Sequence, residues 1–307
     1  MAPQPGPARG ILLMMAAMTV FTLMSAFVKA ADRVPAGETM FFRSAFAVPV
    51  VFAWLWATGG LKGGVRTTSY RGHMFRGIAG AGAMGLGFAG LKFLPLPEVT
   101  ALRFVTPVII VVLAALMLGE RFRLIRLGAV VMGLVGVTII TLPRFSAGFG
   151  TAEALGAVLT LGSACLAALA QIFVKSMSGR ESTAAIVFYF SMTAAVLSLL
   201  TLPFGWVWPR GIEWVWLIGC GLLGGVGQIF LTASYRYADA GVLAPFTYVT
   251  MLWAVVIGYL WFGEVPTWTM LGGAALIIAA GIVIVLRERQ LGRETTAERK
   301  VVAKGYQ

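Results

Sequence analysis

"LMLGERFRLIRLGAVV", residues 116–131, is answered 144 residues later by "LWFGEVPTWTMLGGAA", residues 260–275. The alignment pairs Gly119-Glu120 with Gly263-Glu264, and Leu127-Gly128 with Leu271-Gly272. In both copies an apolar run stops at Gly-Glu, a short connection follows, and a second apolar run begins. Working outward, "AFVKAADR" at 26–33 matches "IFVKSMSGR" at 172–180 and brings Lys29 into register with Lys175. Two glycine-rich runs, "GIAGAGAMGLGFAG" at 77–90 and "GCGLLGGVG" at 219–227, also correspond. Self-similarity at a fixed offset marks a duplicated unit.

Composition says where such a chain lives. Of 307 residues, 59% are hydrophobic and 12% charged, with a mean hydropathy of +0.89. Soluble domains hold roughly a quarter charged residues. The expected class is therefore an all-α membrane protein. A span needs about 20 apolar residues, and ten runs qualify: 11–30, 39–57, 74–93, 99–118, 127–142, 154–174, 183–202, 214–234, 242–261 and 270–286. Five spans form each unit, giving a first repeat at 9–142, a second at 152–288 and a basic tail at 289–307. Five is odd, so the second unit must enter the bilayer from the opposite face. Inverted repeats of this kind are typical of secondary transporters, with the solute site between the halves.

Charge orients the chain. The N-terminus, the connections 2–3, 4–5, 6–7 and 8–9 and the C-terminus together carry 17 of the 24 Lys and Arg. By the positive-inside rule this face is cytoplasmic, and the implied setting is a bacterial inner membrane. Arg71, Arg76 and His73 are assigned to the cytoplasmic connection between spans 2 and 3. The net charge of +12 has no nucleic-acid module around it. Its expected partner is the anionic inner leaflet, and the chain is expected to work as a monomer. Cys165 and Cys220 lie in apolar runs without metal-ligand or disulfide spacing and are expected as small core residues. No metal or cofactor is expected.

The candidate solute contacts are polar residues inside spans. Thr22, Ser25 and Lys29 share a face of span 1 at helical spacing. Gln171 and Lys175 sit one turn apart in span 6, Gln228 and Tyr235 share a face of span 8, and Tyr248 follows Pro245 in span 9. A cavity shared by spans 1, 6, 8 and 9 would satisfy them together. The alternative for each hydroxyl is a bond to its own backbone. Arg43 and Arg103 are the charges within spans. Each is within snorkelling reach of an interface, or else faces inward, where a guanidinium forks onto an anionic or carbonyl-rich solute. In register, Tyr189 replaces Arg43 and Thr247 replaces Arg103.

The chain has no GxxxxGK[ST] loop and no mid-span carboxylate, so neither ATP binding nor a buried proton relay is indicated. Facilitated diffusion, or coupling through an interfacial acid such as Glu38 or Glu98, is expected. No constellation for intramembrane catalysis lies at span depth, so an enzyme is not expected.

Two segments, "PEVTALRFVTPVIIVVLAALMLGERF" at 97–122 and "ADAGVLAPFTYVTMLWAVVIGYLWFGEVPT" at 238–267, resemble the drug/metabolite transporter superfamily, EamA type. The resemblance covers about residues 9–288. It rests on the helix-ending Gly-Glu pairs and on Arg43 near the start of span 2. It implies ten helices in two inverted repeats and a permease for a small organic metabolite. The stretch around residues 244–266 is similar to the branch with riboflavin and S-adenosylmethionine uptake carriers. Export of amino acids or toxic metabolites is the alternative, and a purely structural membrane role the non-transport one.

Overall fold

The computed structural model describes residues 7–61, 63–118, 124–145, 151–177, 180–235, 237–238 and 240–304. Its first unit holds α1 (Pro7–Ala30), α2 (Ala36–Ala57), α3 (Tyr70–Gly90), α4 (Leu96–Arg103), α5 (Thr106–Leu118) and α6 (Leu124–Phe145). The second holds α7 (Ala152–Met177), α8 (Thr183–Leu199), α9 (Glu213–Ser234), α10 (Ala240–Leu243), α11 (Val249–Phe262) and α12 (Trp268–Lys304). Among the described residues, five helical stretches are long and apolar enough to cross a membrane, and three shorter apolar ones accompany them. The chain is a multi-pass membrane protein.

The packing respects an exchange of halves. α1 lies along α9 as α7 lies along α3, and α2 packs on both α8 and α9 while α8 packs on α2 and α3. α6 and α12 pair with each other. Such close approach requires small residues, because lipid supplies little hydrophobic drive for helices to associate. A Cβ on Gly136 of α6 would lie 2.7 Å from the Gly273 carbonyl of α12, and the reverse holds for Gly273. Gly221 and Gly225 of α9 fit the same way against Phe46 and Ala47 of α2. The glycine-rich run of span 3 is divided between neighbours: Gly77 meets Thr193 of α8, whereas Gly87 and Gly90 meet Ser163 and Thr160 of α7.

Three differences from the sequence reading have physical causes. Span 8's predecessor ends at Leu199 rather than Leu202, and a single 3-10 turn at Leu202–Phe204 follows; Pro203 cannot donate the bond that would extend the helix. Arg76 and His73 do not lie in a connection. α3 begins at Tyr70, and both side chains are buried on it. Cys220 is buried as expected, but Cys165 sits on an exposed face of α7, and both are free thiols. Glu120, Arg121 and Arg123 and the side chains of Lys175 and of the tail from 287 onward lie outside the described residues.

Candidate functional site

Two of the expected spans are broken, and they are register partners. Residues 99–118 divide into α4 and α5 around Phe104 and Val105. The cause is Pro107, which lacks an N–H and whose ring would crowd the carbonyl four residues back, that of Arg103. The Arg103 carbonyl instead accepts the Thr106 hydroxyl at 2.7 Å. Residues 242–261 divide into α10, a 3-10 turn at Ala244–Tyr248 and α11, with Pro245 near the start of the turn. The two breaks face each other: the Phe104 and Tyr248 rings meet edge to face at 5.0 Å between centroids. Discontinuous helices meeting between repeats are the usual setting for solute sites in transporters.

Arg103 closes α4 at this junction. A Cβ placed on Gly87 of α3 would lie 3.5 Å from its Nη2, and that same Cβ would lie 2.9 Å from the Ser163 hydroxyl of α7. The guanidinium therefore faces α3 and α7. Among the described residues it forms no ion pair. Tyr248 turns its hydroxyl towards α12, where a Cβ on Gly281 would collide with it. Arg43 lies deeper in the first half, 3% exposed, its guanidinium 5.1 Å from the ring centre of Phe190 on α8.

The remaining candidates are dispersed. The Thr22 and Ser25 hydroxyls donate to the Met18 and Phe21 carbonyls at 2.8 and 2.9 Å, so both bond their own helix. Gln228 is half-buried on α9, while Gln171 on α7 and Tyr235 at the end of α9 sit on exposed faces. Lys29 is engaged at the bundle's rim. Its Nζ pairs with Glu264 Oε1 at 2.8 Å and donates to the Leu94 carbonyl at 2.8 Å. The second oxygen of Glu264 accepts the Leu96 N–H at 2.9 Å, capping the start of α4. A carboxylate there meets both an unsatisfied amide and the positive end of the helix. Gly263 makes this possible. It ends α11 at φ +66°, a left-handed conformation suited to glycine, and aims Glu264 back across the rim. One carboxylate of the second unit thus ties together α1 and α4 of the first.

The opposite rim has its own tie. Glu181, in the connection from α7 to α8, accepts the Thr68 N–H at 2.9 Å and the Thr68 hydroxyl at 2.8 Å, and lies 3.3 Å from His73 Nε2. Burial alone would raise this carboxyl, but the bonds from Thr68, His73 and Thr67 outweigh it and bring it down to about 2. His73 also stacks on Tyr189 at 4.6 Å. Sequence reading missed His73, Arg76 and Glu181. Starting span 3 one turn earlier, at Tyr70, would have brought in His73; Arg76 already falls within 74–93 and was counted with the loop charges. Glu181 carries no local signal, because its partners lie more than a hundred residues away.

Comparison with known proteins gives the following. The model of the EamA-like transporter family matches residues 8–142 and again 154–287. The chain is 30% identical over 282 residues to a pseudopaline exporter of Pseudomonas aeruginosa, covering 90% of this chain and 95% of that one. It is 33% identical over 223 residues to a riboflavin transporter of Rhizobium johnstonii, covering 72% of each. With an S-adenosylmethionine uptake transporter of Rickettsia felis it shares 28% identity over 253 residues, 82% of this chain and 84% of that one. A solved crystal structure superposes with a TM-score of 0.67 at 21% identity, over 92% of this chain and 99% of the other, a likeness of fold.

Proposed function

The chain belongs to the EamA-like transporter family of the drug/metabolite transporter superfamily, and from that premise we propose that it is an inner-membrane permease for a small organic metabolite. It works by alternating access between two inverted five-span halves, with both termini in the cytoplasm. The observation that carries this reading is the meeting of the two broken helices at Phe104 and Tyr248, with Arg103 turned inward beside them. An inward charge without an acid partner suits a solute that brings oxygen acceptors of its own. The rims supply the gates. The Lys29–Glu264 pair holds one face closed, and the Glu181–His73 pair ties the other.

A flat, polar compound such as riboflavin is the first solute to test. It would pack against Phe104 and Tyr248 while its carbonyls meet Arg103. Gln228 and Gln171, with Thr22, Ser25, Tyr235 and Lys175, are the secondary contacts of this reading, brought to the solute when the halves move. Expression in a riboflavin-requiring strain should restore growth on low vitamin and the uptake of labelled riboflavin. Neither effect in cells that hold the protein in the membrane would sink the riboflavin assignment. Export is the second reading, favoured by the relative named as a pseudopaline exporter. It predicts raised tolerance to a toxic amino acid analogue and faster efflux of preloaded label.

A further inference from the structure

Arg43 and Arg76 are exposed by only 3% and 6%. The Nε and Nη1 of each are buried and have no hydrogen-bond partner. Among the described residues neither forms an ion pair. Both guanidinium groups lie against one ring, that of Phe190, at 5.1 Å for Arg43 and 3.8 Å for Arg76. Two unpartnered charges therefore converge on one buried ring. Two further buried hydroxyls without partners, Ser44 and Ser191, sit beside Arg43 and Phe190 in sequence.

A guanidinium is always charged in a protein. Burying one without a counter-charge is costly, and a desolvated contact with an aromatic face offsets only part of that cost. The fold nevertheless reserves room for both. A Cβ on Gly224 of α9 would lie 2.9 Å from Arg43 Nε, and one on Gly80 of α3 would collide with Arg76 and lie 2.8 Å from the Phe190 ring. The pair belongs to the first half and lies against the second. α2 and α3 carry the arginines, and α8 and α9 carry Phe190 and Gly224.

We infer that Arg43 and Arg76 form an oxyanion site over Phe190, which takes the carboxylate or phosphate of the transported solute. As a statement about cargo the inference rests on the permease reading; as a statement about binding it stands alone. It also ranks solutes, since a metabolite bearing a carboxylate or phosphate brings the counter-charge that both forks lack, whereas riboflavin brings only neutral carbonyls.

The test is thermal unfolding of the full-length protein in detergent, titrated with inorganic phosphate or acetate against chloride at equal ionic strength. Wild type should show a saturable rise in Tm with an oxyanion, and so should Arg66→Gln, a change at an exposed residue. The double variant Arg43→Gln/Arg76→Gln should lose the response and, without oxyanion, should melt no lower than wild type, because two unpaired buried charges are gone. An equal response in the double variant, or a lower Tm without oxyanion, overturns the site. Should that variant fail to fold, Arg43→Lys/Arg76→Lys keeps the charge and loses the forks. Its apparent affinity should fall at least tenfold, and an unchanged affinity overturns the site. Flux in proteoliposomes separates the two readings. Transport without an oxyanion response removes this site and leaves the permease, whereas an oxyanion response without flux does the reverse.

Discussion

The break in the first unit and the break in the second occupy equivalent places, yet they are chemically unlike. Around Phe104 the chain presents Arg103, a permanent charge turned towards α3 and α7. Around Tyr248 the register partner of Arg103 is Thr247, and the turn at Ala244–Tyr248 offers hydroxyls and an aromatic ring. The scaffold has been duplicated with its Gly-Glu stops, and each unit breaks its helix with a proline at its own position; the charge has not been duplicated. A site between such halves is polar on both sides but cationic on one. On the proposed reading, a solute entering it would be oriented by electrostatics before its ring is gripped.

The difference can be broken outright by giving the second break a charge. Thr247→Arg should place a guanidinium in a span with no acid arranged to receive it, at about 3 kcal/mol for a charge at the centre of a helix. Membrane yield and Tm should both fall, and uptake should be abolished. Removing the existing charge is the milder experiment. Arg103→Gln should lower uptake about 10- to 100-fold, the loss of a charged hydrogen bond worth about 1.5–3 kcal/mol. Its Tm should stay within a few degrees of wild type, because the guanidinium holds no ion pair among the described residues. Equal sensitivity of uptake to Thr247→Ala and Arg103→Gln would remove the asymmetry as an explanation.

The rims sharpen the comparison further. Glu264→Gln should weaken the tie to Lys29 and the cap on α4 together, by about 1–3 kcal/mol. The measurement is faster labelling of a cysteine introduced at Leu94, on the closed face. The smallest effect is expected at the other rim, through pH. Glu181 titrates at about 2 in the folded protein against an ordinary 4.5. Because its folded value is depressed, its contribution is complete above 4.5 and disappears as pH falls from there towards 2. Wild type should therefore lose Tm below pH 4.5 more steeply than Glu181→Gln, with the two curves parallel at neutral pH.

Duplication, membrane class and the identity of the span pairs were legible in sequence, because each is a pattern along the chain. Gly-Glu and the glycine-rich runs recur in the second unit, and apolar length is local. The breaks were not legible. Residues 99–118 are apolar nearly throughout, so periodicity gives one continuous rod. A proline marks only the chance of a kink, and the facing ring of Tyr248 shows that the chain uses it. The spacing on span 1 shows a shared face but not the bonding of its hydroxyls. Thr22 and Ser25 bond their own carbonyls, and Lys29 belongs to the rim. Arg76 was hidden by arithmetic on loop charges, which counts a residue near a helix start as outside it.

The double grip of Glu264 has a mechanical consequence. α4 is a rigid rod of eight residues, about 12 Å long at helical rise. A carboxylate from the other half of the protein fastens its outer tip, and a positive charge rides on its inner tip. Letting go at the mouth of the carrier would free the far end of that lever, so what happens at the water's edge is transmitted to the cargo without any wire of side chains between them.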